Sequence, residues 1–247
     1  MMADRAPIGS SGLPDEVLAM LARIAARQPK VHCITNTVAQ NLSANVLLAI
    51  GAEPSMAMHP DEVVAITSQA DALLINLGTF DEQRDAAITR LLQVQHNLRM
   101  PVIVDPVMAD RSQLRLALAV RLSAWPRVIM KGNRAEMAAL APLLPGNLTR
   151  VTTGPVDEIT GLSGTRTVGA GHAMMARVTG TGCAAGAMIA AFAAVEDDPV
   201  MASAAALTCF GAAAQQAAAM AGGTGSFAVH LLDRLSRFSD LASGGGP

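Results

Sequence analysis

The sharpest local pattern in the chain is Val178-Thr179-Gly180-Thr181-Gly182-Cys183, followed at once by a long Ala-rich stretch of helical character. Two glycines permit a tight turn, so successive backbone N–H groups can converge at the positive end of a helix and hold an anion such as a phosphate. The pattern lacks the lysine of a Walker A loop and the spacing of a dinucleotide fingerprint, and a plain helix start fits these residues equally well. Cys183 falls in the first turn, where the helix dipole is expected to lower a thiol pKa. Burial as an inert apolar residue is the competing reading, and it is the one assigned to Cys33 and Cys209. Asp105 and Glu136 offer hard oxygen ligands for Mg2+, directly or through water. Glu136 also stands three residues after Asn133, the spacing of a capping box. Lys131 is one of only two lysines in a chain that otherwise uses arginine. Its ammonium could neutralise a phosphate or simply lie on the surface.

Other chemistries are disfavoured. The five histidines show no HExxH or short ligand spacing, which argues against a zinc site, and no GxSxG elbow is present. Three distant cysteines make neither a disulfide framework nor a CxxC site. A net charge of −2 with dispersed cations, and aromatics at only 2%, exclude the basic footprint and stacking platform of a nucleic-acid binder. The first residues carry no apolar signal region, and the clearest apolar run, 183–195, is shorter than a membrane span. The expectation is a soluble, cytoplasmic protein with no nucleic-acid or membrane partner.

The elements that must position these groups alternate along the chain. Pro14-Asp15-Glu16 opens a helix carrying Val17, Leu18, Leu21, Ile24 and Ala25 at helical spacing. Apolar strands are predicted at Val31–Ile34, Ala72–Asn76, Pro101–Val104 and Arg127–Met130, with helices at Leu42–Ile50, at Glu82–Leu98 and behind Asn133. Residues 149–168, rich in Thr, Gly and β-branched side chains, suggest short strands or hairpins at one edge. From Gly180 to Leu241 the pattern is helical, broken at Asp197-Asp198-Pro199 and at Gly222 to Gly225. Strands that are apolar throughout indicate a parallel sheet covered on both faces, hence an α/β fold. One domain is expected over residues 13–241, with a disordered lead at 1–12 and a flexible tail at 242–247. Ligands of such sheets bind beyond the carboxyl ends of the strands. Thr35-Asn36, Asn76 with Gly78-Thr79, Asp105, Lys131-Gly132-Asn133 and Thr153-Gly154 all end apolar runs there. Each could merely cap the next helix; together they point to a site along one rim.

Several of these segments, in order, resemble the hydroxyethylthiazole kinases of the ribokinase-like superfamily. They are Val31-His32-Cys33-Ile34-Thr35-Asn36 with Asn41 and Ala44-Asn45, then Gly51 to Ala57, Asn76-Leu77-Gly78-Thr79 and Asp105-Pro106-Val107. Gly132 to Glu136, Thr153 to Asp157, Val178 to Cys183 and Gly223 to Phe227 complete the set. The resemblance implies a three-layer αβα sandwich with a mostly parallel central sheet. It implies ATP-dependent phosphorylation of the hydroxyl of 4-methyl-5-(2-hydroxyethyl)thiazole in thiamine salvage. The partners would be the thiazole alcohol, ATP and Mg2+, in a homotrimer with active sites at subunit interfaces. Asn36, Val38, Met56 and Gly180 would then bind the thiazole. Thr153 would contact ATP, and Lys131 with the turn Thr179, Gly180, Thr181 and Gly182 would hold its phosphates. Asp105 and Glu136 would sit around the metal. Cys183 would take the place where most ribokinase-like enzymes carry an Asp base.

The chain departs from the family pattern on the ATP side. Lys131 replaces the usual Arg and with it a bidentate phosphate contact. Met108-Ala109-Asp110-Arg111 replaces a Gly-Ala-Gly-Ala type loop, and the stretch from Glu136 to Thr153 is short, as though a helix and part of a strand were missing. The alternatives to a thiazole kinase are therefore a catalytically weakened thiazole-binding relative and a kinase for another small heterocyclic alcohol.

Overall fold

A computed structural model describes residues 12–244. Helix α1 (Asp15–Arg27) leads into β1 (Lys30–Ile34), α2 (Gln40–Ala49), β2 (Glu53–Ser55), α3 (Val63–Thr67) and β3 (Ala72–Asn76). Then come α4 (Glu82–Val94), β4 (Val102–Asp105), α5 (Gln113–Leu122), β5 (Val128–Asn133) and α6 (Arg134–Leu140). The strands β6 (Thr149–Thr153), β7 (Asp157–Gly161) and β8 (Gly164–Val168) precede α7 (Thr181–Ala193), α8 (Pro199–Met220) and α9 (Thr224–Ala242). The strands form one sheet in the order β2-β1-β3-β4-β5-β6-β7-β8. All pairings through β6 are parallel, and β7 and β8 turn back antiparallel at one edge.

Alternation along the strands builds the two outer layers. Ala72 and Leu74 of β3, with Ile103 and Ile129, face a core shared with α1, α2, α7, α8 and α9. Leu73 and Ile75, with Val102, Val104, Val128 and Met130, face a second core under α4, α5 and α6. The three-layer sandwich follows from side chains that point alternately to opposite faces of a sheet with no polar side. Helix α7 is buried at every residue from Ala184 to Ala193, as a helix apolar on all sides must be. Its small side chains let it lie close to the sheet: a Cβ added at Gly186 would come within 3.1 Å of Leu74. No helix among the described residues is long and apolar enough to cross a membrane.

Three expectations shift. The helix from Glu82 stops at Val94 and a 3₁₀ turn covers Gln95–Asn97. The strand read as ending at Met130 runs on to Asn133, because Lys131, Gly132 and Asn133 pair with Val151, Thr152 and Thr153 of β6. Despite the short connection before it, β6 pairs with β5 over five residues, from Ile129↔Thr149 to Asn133↔Thr153. Of the expected lead, residues 1–11 lie outside the described residues, as do 245–247 of the tail; Ala242 still belongs to α9.

Candidate active site

The carboxyl ends of five adjacent strands deliver polar groups to one rim. Register places Asn76 beside Asp105 and Asn133 beside Thr153. Asn36 follows β1 by two residues, and the buried Arg84 holds its approach by donating from Nε to the Thr35 carbonyl at 3.1 Å while pairing with Asp81.

At the centre is a chain of hydrogen bonds. Asn36 Nδ2 donates to the Cys183 sulfur at 3.0 Å and to Asn76 Oδ1 at 2.9 Å. Asn76 Nδ2 donates to Asp105 Oδ2 at 2.9 Å. Lys131 Nζ donates to the same carboxylate oxygen at 3.0 Å and to the Gly182 carbonyl at 2.8 Å. The chain thus begins on the Cys183 side chain and returns to the residue before it. Asn76 was legible only as a polar strand end, with no role attached. Its signal is a carboxamide closing a strand that is otherwise wholly apolar and buried.

Lys131 is not a surface residue: only 4% of it is exposed. Its aliphatic stem lies in β5 and its ammonium has two of three donors committed, leaving one for an anion. Burial works against its charge, but Asp105 and then Cys183 hold its pKa above the ordinary lysine value. Burial pushes the Asp105 carboxyl up, opposed by Lys131 and the Asn76 amide.

The Cys183 thiol behaves opposite to the helix-dipole expectation. Burial, then the negative charge of Asp105, raise its pKa, against weaker lowering by Lys131, Asn36 and Asn76. Desolvation of a thiolate next to a carboxylate outweighs the end of a helix dipole. Cys33 and Cys209 are fully buried and their thiols are pushed up to about 12, in keeping with inert roles.

Gly180 precedes α7 with φ 87, a left-handed turn in which a Cβ would also press on the Ala39 backbone at 3.2 Å. The helix starts without a side-chain cap. Ala184 is the first residue whose N–H bonds back into the helix, to Gly180 at 2.8 Å, which leaves the amides of Thr181, Gly182 and Cys183 available for an anion. The Thr181 hydroxyl is turned away, donating to the carbonyls of Met175 and Val178, so only its backbone can serve a phosphate. Beside Thr181 and Gly182 opens a cavity of about 580 Å³, floored by Met175, Ala185, Leu207 and Phe210 and edged by Thr153 and Asp157. Thr153 Oγ1 donates to Gly132 at 3.2 Å. Burial raises the Asp157 pKa, although its bond from the Gly154 amide opposes this.

Glu136 meets the capping-box reading in full: Oε2 accepts from Asn133 N at 2.8 Å, and the Asn133 side chain caps α6. Its other oxygen accepts from Met108 N at 2.8 Å. Met108 adopts φ 64, so the loop makes a left-handed turn there despite the side chain. Asp110 pairs with Arg111 at 3.1 Å. Among the described residues no three His, Cys, Asp or Glu side chains cluster as a metal cage. Asp105 and Glu136 nonetheless suit a magnesium-like ion, which is held through one or two carboxylates, waters and substrate phosphates. Val38 is 57% exposed and Met56 half-buried against the first core; Thr179 is exposed.

The covered, mostly parallel sheet gives the chain a ribokinase-like fold. A ribokinase-like superfamily protein from Enterococcus faecalis shares this fold, with a TM-score of 0.64 at 15% identity over 90% of this chain and 94% of the other. The chain belongs to the hydroxyethylthiazole kinase family: the model of the "Hydroxyethylthiazole kinase family" matches residues 21–146 and 144–240. It is 41% identical to a probable hydroxyethylthiazole kinase of Agrobacterium fabrum, covering 89% of each chain. It is 37% identical to the hydroxyethylthiazole kinase of Pectobacterium carotovorum, covering 90% of this chain and 94% of the other. The structure of the Pyrococcus horikoshii enzyme matches with a TM-score of 0.85 at 35% identity, over 90% and 93% of the two chains. The protein is accordingly a phosphotransferase, of a family that uses ATP with a divalent metal.

Proposed function

We propose that this enzyme transfers the γ-phosphoryl group of ATP to the primary hydroxyl of 4-methyl-5-(2-hydroxyethyl)thiazole, in the cytoplasm, in thiamine salvage. The observation that carries this reading is the placement of the Cys183 sulfur on the same helical turn as three open backbone amides, with a nucleotide-sized cavity reaching Gly182. ATP would lie with its base in the cavity under Thr153 and its phosphates against the amides of Thr181 to Cys183 and the third donor of Lys131. Asp105 and Glu136 would hold Mg2+ through water, and the bound ion would supply charge neutralisation on the phosphates. The thiazole ring would pack against Val38 and Met56, with Asn36 and Gly180 bounding the site. An exposed Val38 and a short edge strand β2 support completion of that pocket by a neighbouring subunit of a homotrimer.

Phosphoryl transfer depends mainly on in-line positioning and on stabilising the equatorial oxygens. The α7 amides supply fixed dipoles for those oxygens in a site that need not reorganise. Cys183 orients the alcohol, and its thiolate form, which burial keeps a minor fraction, accepts the alcohol's proton late and becomes the thiol, when a loose transition state has already made that oxygen acidic. Steady-state ATP turnover with purified protein and Mg2+ tests the reading. Turnover rises at least about tenfold on adding the thiazole alcohol; turnover that ignores the alcohol, or prefers another heterocyclic alcohol in kcat/KM, overturns it.

A further inference from the structure

We infer that Asn76 is a positioning residue for the transfer reaction, one that locks the Asn36 carboxamide so that its N–H points at the Cys183 sulfur. This rests on Cys183 being the group beside the acceptor alcohol. A carboxamide has one donor end and one acceptor end, and it is free to flip unless its neighbours tell the two apart. Around Asn76 they do. The Gly78 amide, which can only donate, reaches Oδ1 at 2.9 Å, and the Asp105 carboxylate, paired with Lys131, receives Nδ2 at 2.9 Å. Asn76 therefore presents Oδ1, never Nδ2, to Asn36.

That choice propagates. Asn36 must turn Nδ2 toward Asn76, and its own Oδ1 accepts from the Ala39 amide at 3.0 Å. Flipping it would set oxygen against oxygen and N–H against N–H in a place closed to water. The second hydrogen of Asn36 Nδ2 then has one direction left, and the Cys183 sulfur lies on it at 3.0 Å. The sulfur is made an acceptor on this side, so its own hydrogen is left to face the cleft. At the other end Lys131 fixes the Gly182 carbonyl, so the side chain of Cys183 and the peptide before it are held by one continuous network. Asn76 is fully buried and cannot itself touch a substrate. The neighbouring glycine belongs to the same device: a Cβ at Gly78 would stand 2.9 Å from Asn36 Cβ, and 3.0 Å from both Asn36 Nδ2 and Asn76 Oδ1.

The test follows Asn76→Leu, which removes both polar ends at similar volume, and Gly78→Ala, which removes none but pushes on both carboxamides. Each is made in the native chain and in Cys183→Ala. Readouts are kcat, the KM for ATP, and the rate of iodoacetamide alkylation of Cys183 at pH 8 without substrates, followed by peptide mass; Cys33 and Cys209 are closed to the reagent. Asn76→Leu is expected to lower kcat by about thirtyfold, with KM for ATP unchanged to within about twofold. It slows alkylation at least about threefold, because a donor that favours the thiolate is lost. In Cys183→Ala the same change costs less than about twofold in kcat, since the group it positions is already gone. Gly78→Ala gives the same pattern at smaller size, and it carries the test if Asn76→Leu does not fold. Losses that multiply in full on the Cys183→Ala background, or alkylation that stays at the native rate, overturn the inference. Full kcat in Cys183→Ala alone removes instead the catalytic role of the sulfur, and the alkylation rates still decide whether Asn76 sets it.

Discussion

Cys183 and Lys131 show how far burial alters the chemistry that a residue type suggests. A thiol at a helix start suggests a low pKa, but this one is set among buried groups beside Asp105, and its pKa rises. Alkylation of Cys183 should therefore still be accelerating at pH 9, with no plateau near neutrality; a plateau there would show a lowered pKa. Cys183→Ala should reduce kcat by about two orders of magnitude while changing thiazole affinity less than about threefold, the pattern of a group used mainly in the transition state. Lys131 makes a different prediction, because removing one partner of a buried ion pair strands the other. Lys131→Met should cost about 3–5 kcal/mol in urea unfolding. The double variant Lys131→Met with Asp105→Asn should recover most of that stability and none of the activity. Recovery of activity would mean that Lys131 serves only to neutralise Asp105.

At the scale of elements, the site depends on how closely α7 and α8 approach their neighbours. Gly180 lets the chain enter α7 through a left-handed turn against Ala39, and a side chain there would strain the turn by about 1–2 kcal/mol and re-aim the amides. Gly211 sits where α8 lines the cavity proposed for the nucleotide, and a Cβ would come within 2.6 Å of the Ala170 backbone. Gly211→Ala must displace that segment, at about 1–3 kcal/mol. It should raise the KM for ATP several-fold with little effect on kcat, measured against the thiazole at saturation. An unchanged KM would place the nucleotide elsewhere. Asp81, Ser112, Asn133 and Asp198 cap α4, α5, α6 and α8 with their side chains, whereas α7, like α1, α2 and α3, starts without a side-chain cap.

The molecule as a whole carries a pH dependence through His32, at the β1–β2 side of the sheet. Its ring is fully buried, and its Nδ1 lies 3.1 Å from the Ser55 hydroxyl. Burial lowers its pKa from 6.5 to about 4, partly opposed by a backbone bond to Ala57. Between those values the unfolded chain takes up a proton that the folded chain refuses, so stability rises with pH across that window. The contribution is complete above about pH 6.5 and is lost as pH falls toward 4, a difference on the order of 3 kcal/mol. Urea unfolding at pH 7 and pH 4.5 should show this loss in the native protein and much less of it in His32→Gln; equal losses would assign the acid sensitivity to other groups.

Much of the fold and part of the site could be read from residue types alone. Wholly apolar strands ending in polar residues, and a Gly-rich turn before an Ala-rich helix, already pointed to a covered parallel sheet with a site at its carboxyl rim. Burial of apolar surface acts locally on such patterns: Asp105 was visible because a carboxylate ends an apolar run, Glu136 by its spacing from Asn133 and Cys183 by its place in the first turn after a Gly-rich loop. What the linear order could not show was which polar ends meet. Asn36, Asn76, Asp105, Lys131 and Cys183 lie on separate elements, and only strand register and the docking of α7 onto the sheet bring them into one hydrogen-bonded chain. The direction of the Cys183 pKa shift and the burial of Lys131 depend on that assembly. Desolvation and charge pairing are set by neighbours in space, which the order of residues along the chain does not specify.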